Sequence, residues 1–179
     1  RKTRALAIAN IDYAQADITR LGALERRFDL IESIGVLHHL EDPEAGWHTL
    51  AGLLRPGGVM LIALYSELAR QDIVAARRYI AEQGYAPTAA DIRRWDFFGT
   101  SECRDLLFHA HEHRFSLPQL KEILARLGLR FLGFQLGANL LHKYGMQFPG
   151  DPEMANLDNW HQFETANPRT FRGMYLFWV

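Results

Sequence analysis

The sequence contains a single cysteine, Cys103, so no disulfide can form within its 179 residues. A chain without disulfides suits a reducing compartment, and we expect a cytoplasmic protein. Long apolar runs are also lacking: none reaches the roughly 18 residues that cross a membrane, and no signal-peptide pattern is visible. The formal net charge is only −1. Charge therefore gives no reason to expect a nucleic acid or an anionic membrane as a partner.

The composition is that of a globular protein, with 48% hydrophobic and 23% charged residues. Such a chain can bury a core, and its length fits one domain of about 100–200 residues. We therefore predict a single domain over residues 1–179. The chain opens at Arg1 rather than at Met, and a helical pattern at residues 2–9 leads straight into a strand. From this opening we expect the natural protein to begin upstream.

Strand and helix patterns alternate over the first third of the chain. Residues 11–18 alternate as a strand does, whereas Phe28–Ile34 and residues 59–64 are almost uninterrupted apolar runs, typical of strands covered on both faces. Between these two runs, Asp42 and Pro43 predict the start of a helix, which "RPGG" should end. This alternation predicts an α/β fold with a parallel sheet.

After residue 65 the alternation ends. The predicted elements that remain are helices at residues 69–83, 89–94, 100–113 and 117–127, strands at residues 129–136 and 174–179, and an irregular segment at residues 137–168. Ser116 should cap the helix at residues 117–127, with Pro118 in its first turn. We further predict that Phe28–Ile34 and residues 59–64 are parallel neighbours, and that the last strand lies between the second and the third.

Two of these runs carry a family resemblance. "FDLIESIGVLHHLEDP" followed by "LLRPGGVMLIALYS" resembles the second half of a class I S-adenosylmethionine-dependent methyltransferase, and "AQADI" resembles that family's earlier acidic turn. The likeness is good over residues 11–64 and looser over the closing strands, which resemble the family's antiparallel last pair. "RDLLFHAHEHRFSLPQL" and "NWHQFETANPRTFRGMYLFWV" resemble uncharacterised bacterial methyltransferases, some fused to tetratricopeptide repeats. No such repeat occurs in this chain.

The resemblance implies a Rossmann-like methyltransferase sheet that is incomplete at its amino-terminal side. The family's first strand, its glycine-rich loop and the acidic residue that ends its second strand have no counterpart, and G-x-G-x-G is absent. Only glycine lets the backbone approach such a ligand closely, so half of the cofactor site should be missing. Residues 1–179 would then form one partial methyltransferase domain, with a helical cover inserted at residues 66–116, after the family's fifth strand.

The resemblance also assigns contacts to the cofactor, S-adenosylmethionine. The Asp17 carboxylate would accept a hydrogen bond from the adenine amino group, and the Ile18 backbone amide would meet a ring nitrogen. Ser33, Ile34 and Gly35 would contact the methionine part through their backbone. Two plainer alternatives are open: Asp17 is a polar residue at a strand end or a helix cap, and Gly35 merely permits a tight turn.

The implied reaction is methyl transfer to an acceptor oxygen, nitrogen or carbon, in which alignment of the reacting atoms supplies most of the acceleration. If the acceptor must lose a proton, His39 and Tyr65 at strand ends are candidate bases, and His113 is a third. Adjacent residues do not share a face, so His38 and His39 should not bind one metal together. For both histidines the alternative is packing beneath the sheet or exposure to solvent.

A second histidine group, His109, His111 and His113, has a spacing of two. On a strand these side chains would share a face and bind a metal together with Glu112, but at the predicted helix end they would splay apart. We therefore predict no metal site. Three aromatic residues of the insertion either line an acceptor pocket or pack the core of the cover: Trp95, Phe97 and Phe98. Cys103 is expected to be a small buried hydrophobe.

A rival interpretation is not enzymatic. Without the missing strands, Phe28–Ile34 has no neighbour on one side, and an open apolar edge is a template for another chain. The chain would then be a non-catalytic fragment or a partner-dependent subunit with no cofactor binding of its own. For the 179 residues we predict self-association through this edge.

Overall fold

The computed structural model describes residues 9–84 and 112–179. The strands in these ranges are β1 (Phe28–Ile34), β2 (Leu54–Ser66), β3 (Arg114–Phe115), β4 (Gly133–Phe134) and β5 (Tyr175–Trp178). The α-helices are α1 (Pro43–Leu53), α2 (Gln71–Glu82), α3 (Leu117–Leu127), α4 (Ala138–Gln147) and α5 (Leu157–Ala166). Two short 3-10 helices cover Ile18–Ala23 and Leu37–His39. No described helix is both long and apolar enough to cross a membrane.

The strands form one mixed sheet of order β1-β2-β5-β4, and β3 pairs with the end of β2. β1 and β2 run parallel, whereas β5 is antiparallel to both β2 and β4. This arrangement confirms the α/β class, the parallel pair and the insertion of the last strand between the second and the third. The antiparallel pair β4–β5 also agrees with the antiparallel last pair that the family resemblance implies.

The segment "RPGG" has a different role from the predicted one. Helix α1 ends at Leu53, and β2 begins at the next residue, so the segment lies inside the strand. Gly57 has a φ of +80°, and a Cβ on Gly58 would lie 2.9 Å from the carbonyl oxygen of Asp29. Gly58 thus allows β2 to approach β1 closely where the pairing register shifts between Phe28 and Leu30, whereas Gly57 adopts a backbone conformation that favours glycine.

One core lies against one face of the sheet. Met60, Ile62 and Leu64 alternate along β2 and are fully buried, so they define this face. Helices contribute the buried residues Trp47, Leu50, Leu120, Ile123, Tyr144, Trp160 and Phe163. The rings of Tyr144 and Trp160 stack with centroids 3.8 Å apart. This packing holds the carboxyl ends of β1 and β2 in place.

The caps read from the sequence are confirmed. The Asp42 carboxylate accepts a hydrogen bond of 2.9 Å from the backbone N–H of Ala45, with Pro43 as the first residue of α1. Ser116 and Gln119 form a reciprocal capping box at the start of α3. These signals depend on residues only three apart, so local chemistry determines them.

Three other predictions are wrong. Residues 11–17 have no regular structure, because Asp17 caps the following 3-10 helix instead of ending a strand. Only Gly133–Phe134 of the strand expected at residues 129–136 pairs as one, since Phe131 and Phe134 both turn into the core and break the alternation. The segment predicted to be irregular contains α4 and α5, with Leu157, Trp160 and Phe163 buried at helical spacing.

The helix predicted at residues 69–83 is present as α2. Other predictions lie outside the described residues: the helices at residues 2–9 and 89–94, all but the last two residues of the helix at 100–113, and the side chains of Trp95, Phe97, Phe98, Cys103, His109 and His111. His113 is described and is not helical.

Candidate active site

An open groove of about 490 Å³ lies where the parallel strands end. Ile34 ends β1, Ala63 is its partner near the end of β2, and Leu176 of β5 pairs with Ala63 from the other side. Paired residues share a face, so these three side chains form an apolar floor on the face opposite the core. Tyr65 and Arg70 also line the groove. Ligands of open α/β sheets bind at this edge.

Two of the candidate bases, His39 and Tyr65, pack against His38 at this edge. The His38 ring centroid lies 4.2 Å from that of His39 and 4.1 Å from that of Tyr65. The His39 and Tyr65 rings are 6.1 Å apart. His113 joins them through its backbone N–H, which donates a 2.9 Å hydrogen bond to the His38 carbonyl. The 3-10 helix Leu37–His39 creates this arrangement by turning the chain back as it leaves β1.

His38 is the packed member of the cluster. Its side chain is fully buried. Burial, and secondarily the neighbouring His39, lower the pKa of His38 from 6.5 to about 4, so the imidazole is neutral at physiological pH. The packing alternative given above for His38 is therefore confirmed. His39, by contrast, is only half-buried.

A buried ion cluster adjoins the rings. The Glu112 side chain is 0% exposed, and its carboxylate meets Arg70 at 2.6 Å, Arg77 at 3.0 Å and Arg114 at 3.5 Å. The Arg70 guanidinium also lies 3.8 Å from the centroid of the Tyr65 ring. This contact fixes the tyrosine against a positive charge at the end of β2. Sequence reasoning missed the cluster, because its members are up to 44 residues apart (Arg70 to Arg114) and no local motif links them.

A second buried network lies directly behind Tyr65. The next residue, Ser66, donates a 2.5 Å hydrogen bond to the Glu164 carboxylate, and the Tyr175 hydroxyl donates to both carboxylate oxygens at 2.9 and 2.7 Å. Burial raises the pKa of Glu164. The network joins β2, β5 and α5, so it holds the end of β2 against the core. It too was missed, since its residues lie in separate elements.

The predicted adenine contacts lie on the 3-10 helix Ile18–Ala23. Asp17 is exposed, and its carboxylate accepts hydrogen bonds from the backbone N–H of Thr19 at 2.9 Å and from the Thr19 hydroxyl at 2.8 Å. These bonds lower the pKa of Asp17, so it is ionised at neutral pH. Ile18 packs on α1, where a Cβ on Gly46 would lie 3.3 Å from its Cγ2. The capping alternative for Asp17 is thus realised.

The predicted methionine contacts lie at the end of β1. Ser33 is buried beside Ile62 on the core face, whereas Ile34 is 51% exposed at the groove. Gly35 has a φ of +72° and directs the chain out of the sheet, as a tight turn requires. A Cβ at Gly35 would meet no heavy atom within 4 Å, so the turn is open. Only Ile34 of the three therefore directs its side chain into the groove.

The metal alternative depends on His109 and His111, which lie outside the described residues. Within the described residues, no group of three or more His, Cys, Asp or Glu side chains has the arrangement of a metal site. Glu112, the carboxylate weighed as a metal ligand above, is occupied by arginines. The positive charge around it would repel a cation.

Known proteins resemble this chain in sequence. A family model described as "Methyltransferase domain" matches residues 2–132. An uncharacterised protein from Synechococcus sp. is 31% identical over 150 residues, which cover 69% of this chain and 36% of that protein. Ubiquinone biosynthesis O-methyltransferase from Parvibaculum lavamentivorans is 42% identical over 53 residues, which cover 30% of this chain and 21% of that protein.

The fold is similar to that of PKMT2 from Rickettsia typhi, with a TM-score of 0.62 and 15% identity over 99% of this chain and 40% of that chain. PKMT2 in complex with AdoHcy gives a TM-score of 0.56 and 13% identity, over 99% of this chain and 39% of that one. This chain therefore spans two fifths or less of the proteins that it matches. Since the family model covers well over half of the residues, the chain belongs to the methyltransferase domain family.

Proposed function

We propose that the chain is the carboxyl-terminal part of an S-adenosylmethionine-dependent methyltransferase that acts on an acceptor oxygen, nitrogen or carbon. The observation that carries the proposal is the packing of His39 and Tyr65 against His38, at the edge where β1 and β2 end, with the backbone of His113 bonded to His38. Family membership and this geometry support the same activity. The sheet would be a Rossmann-like methyltransferase sheet without its amino-terminal strands, and residues 66–116 would form its helical cover.

The residues present fit part of a cofactor site. The open turn at Gly35 leaves room for a ligand to approach the backbone of Ser33, Ile34 and Gly35. The ionised Asp17 and the backbone amide of Ile18 suit the amino group and ring nitrogen of adenine. When bound, S-adenosylmethionine supplies an electrophilic methyl group on a sulfonium. The remainder of the site would come from residues that this sequence does not contain.

Within the proposal, the chain's own residues bind and orient the acceptor and remove its proton where needed. Tyr65 is a candidate base because it lines the groove, His39 is another because its ring lies 6.1 Å from that of Tyr65, and His113 is the third. His38 holds the two rings in position by packing between them. Arg70 orients Tyr65 by lying over its ring. The apolar floor excludes water from one side of the acceptor.

Asp17 provides the test of the cofactor site. In the full-length protein, Asp17→Ala should weaken S-adenosylmethionine binding by about 1–3 kcal/mol, the scale of a charge-assisted hydrogen bond. Isothermal titration calorimetry measures the change. Asp17→Ser keeps an oxygen that can cap the 3-10 helix, but the serine side chain is shorter. If Asp17 contacts the cofactor, both variants should therefore bind S-adenosylmethionine more weakly. Affinity retained in Asp17→Ser would show that Asp17 only caps.

The rival, a non-catalytic fragment or partner-dependent subunit, is favoured by one observation. Within the described residues the outer edge of β1 pairs with no strand, and Leu30 and Ile34 on it are 49% and 51% exposed. Such an edge recruits other strands. We propose that the 179-residue chain self-associates there.

Sedimentation velocity on the 179-residue chain tests the self-association. The expected result is a dimer or larger species that Leu30→Lys converts to monomer, because a charge on an edge strand opposes pairing. Met146→Lys, at an exposed position on α4, is the matched control and should leave the assembly intact. A folded monomer without cofactor affinity would contradict self-association. A monomer that binds S-adenosylmethionine at about micromolar affinity would contradict the missing half-site.

A further inference from the structure

A single turn connects Tyr65 to the arginine that lies over its ring. The turn runs from Ser66 to Arg70, and the Ser66 carbonyl accepts a 3.2 Å hydrogen bond from the Arg70 backbone N–H. The Ser66 hydroxyl oxygen accepts a second bond, of 3.0 Å, from the backbone N–H of Ala69. Serine side chains that bond to the nearby backbone stabilise turns of this kind. The turn returns the Arg70 guanidinium to a point 3.8 Å from the centroid of the Tyr65 ring.

The Ser66 hydroxyl is also held from the core. Ser66 is fully buried, and its hydroxyl donates a 2.5 Å hydrogen bond to the carboxylate of Glu164, which is 1% exposed. A serine hydroxyl has one proton to donate and lone pairs that accept. Donation to Glu164 therefore fixes the direction of that proton and leaves a lone pair for the Ala69 N–H. Glu164 thus determines how the side chain that begins the turn is oriented.

Glu164 is fixed independently of the turn. It lies on α5, and the Tyr175 hydroxyl donates to its two carboxylate oxygens at 2.9 and 2.7 Å. Trp160 and Phe163 of the same helix are fully buried. Burying a carboxylate costs free energy that an apolar side chain of similar volume avoids. Packing alone therefore does not account for a carboxylate at this position, whereas the orientation of Ser66 does.

We propose that Glu164 is a positioning residue for Tyr65. Glu164 orients the Ser66 hydroxyl, the hydroxyl stabilises the turn to Arg70, and Arg70 holds the Tyr65 ring. Glu112 restrains the guanidinium of Arg70 at 2.6 Å, and the turn restrains the backbone of the same residue. Proton transfer to a tyrosine needs its oxygen within hydrogen-bond reach of the acceptor, so the orientation of the ring matters. The inference rests on the proposed function, in which Tyr65 is a candidate base.

The NMR signal of the Tyr65 ring tests this link on the 179-residue chain. With all six tyrosine rings isotope-labelled, the signal that disappears in Tyr65→Phe identifies this ring. Arg70→Met then gives the reference shift for a Tyr65 ring without its guanidinium. Ser66→Ala and Glu164→Met should each move the Tyr65 signal in the same direction as Arg70→Met, because the turn no longer holds Arg70 over the ring.

Tyr175→Phe is the matched control, since it removes the other hydrogen bonds of Glu164 and leaves the one from Ser66. This variant should keep the Tyr65 signal in place although it also alters the buried network. The double variant Ser66→Ala/Glu164→Met should shift the signal no further than Ser66→Ala alone, because Glu164 acts through Ser66. An unmoved signal in Ser66→Ala, an equal movement in Tyr175→Phe, or additive shifts in the double variant would overturn the inference.

Affinity for S-adenosylmethionine separates this inference from the proposed function. In the full-length protein, Ser66→Ala should bind S-adenosylmethionine as the wild type does, because the turn carries none of the proposed cofactor contacts. A weaker affinity would mean that the turn belongs to the cofactor site, which would overturn the assignment of Glu164 to Tyr65. A full-length protein with no affinity for S-adenosylmethionine would overturn methyl transfer, whereas the shifts of the Tyr65 signal would still establish the link.

Discussion

Glu112→Gln is expected to lower the free energy of unfolding by about 3 kcal/mol, the scale of breaking a buried ion pair by removing one partner. The substitution keeps the shape of the side chain and removes only its charge. Arg70, at 4% exposure, would be left without a carboxylate, and Arg77 and Arg114 would add to the repulsion. Urea denaturation monitored by circular dichroism measures the loss.

An exposed pair of the same chemistry serves as the control. Asp29 meets Arg55 at 2.6 Å, but their side chains are 77% and 54% exposed. Asp29→Asn should therefore cost less than about 1 kcal/mol, and high salt should reduce that cost further. If both variants lost the same small amount, the arginine cluster would contribute nothing beyond an ordinary surface pair.

Local chemistry made the first half of the fold predictable. Strand β1 was predicted with its observed ends, because Arg26 and Arg27 precede its apolar run and Gly35 follows it. The caps at Asp42 and Ser116 depend on a side chain and an amide within the same turn, so they need no knowledge of the rest of the fold. The strand order was predictable from the order of strands and helices and from the family resemblance.

Tertiary contacts decided the elements that were missed. The glycines, prolines and asparagines near residues 149–156 concealed α4 and α5 on either side of them. Both helices are stabilised by packing, in which the ring of Tyr144 stacks on that of Trp160. Phe131 similarly prevents a longer β4, because its ring is buried in the core. Such contacts join residues that are distant in the sequence, so no local sequence pattern indicates them.

The candidate site likewise contains some residues that the sequence predicted and others that it did not. His39 and Tyr65 were proposed from their positions at strand ends, and their rings lie 6.1 Å apart in the structure. His113, the third candidate, contacts His38 through its backbone N–H. Arg70 donates a hydrogen bond to Glu112 although 42 residues separate them in the sequence, and no spacing in the sequence predicts such a contact. The contacts assigned to the cofactor remain predictions, since they depend on a bound ligand.

Between pH 7.5 and 5 the chain should lose about 2 kcal/mol of unfolding free energy through His38, with a total near 3 kcal/mol by pH 4. In the folded chain the pKa of His38 is lowered from 6.5 to about 4. Below pH 6.5, His38 therefore binds a proton in the unfolded chain but stays neutral in the folded chain until the pH approaches 4. Stability is therefore complete above pH 6.5 and falls as the pH decreases toward 4. Glu164 acts in the opposite direction, because its raised pKa makes the fold more stable as the pH falls toward 4.5.

Substitution isolates the contribution of His38 from these opposing ones. His38→Phe keeps a ring between His39 and Tyr65 but cannot be protonated, so its unfolding free energy should decline much less between pH 7.5 and 5. His48→Gln removes an exposed imidazole on α1 and should retain the wild-type decline. The comparison uses the slope against pH, so a constant packing cost of the larger ring does not affect it. An undiminished slope in His38→Phe would mean that His38 titrates alike in the folded and unfolded chains, contrary to its burial.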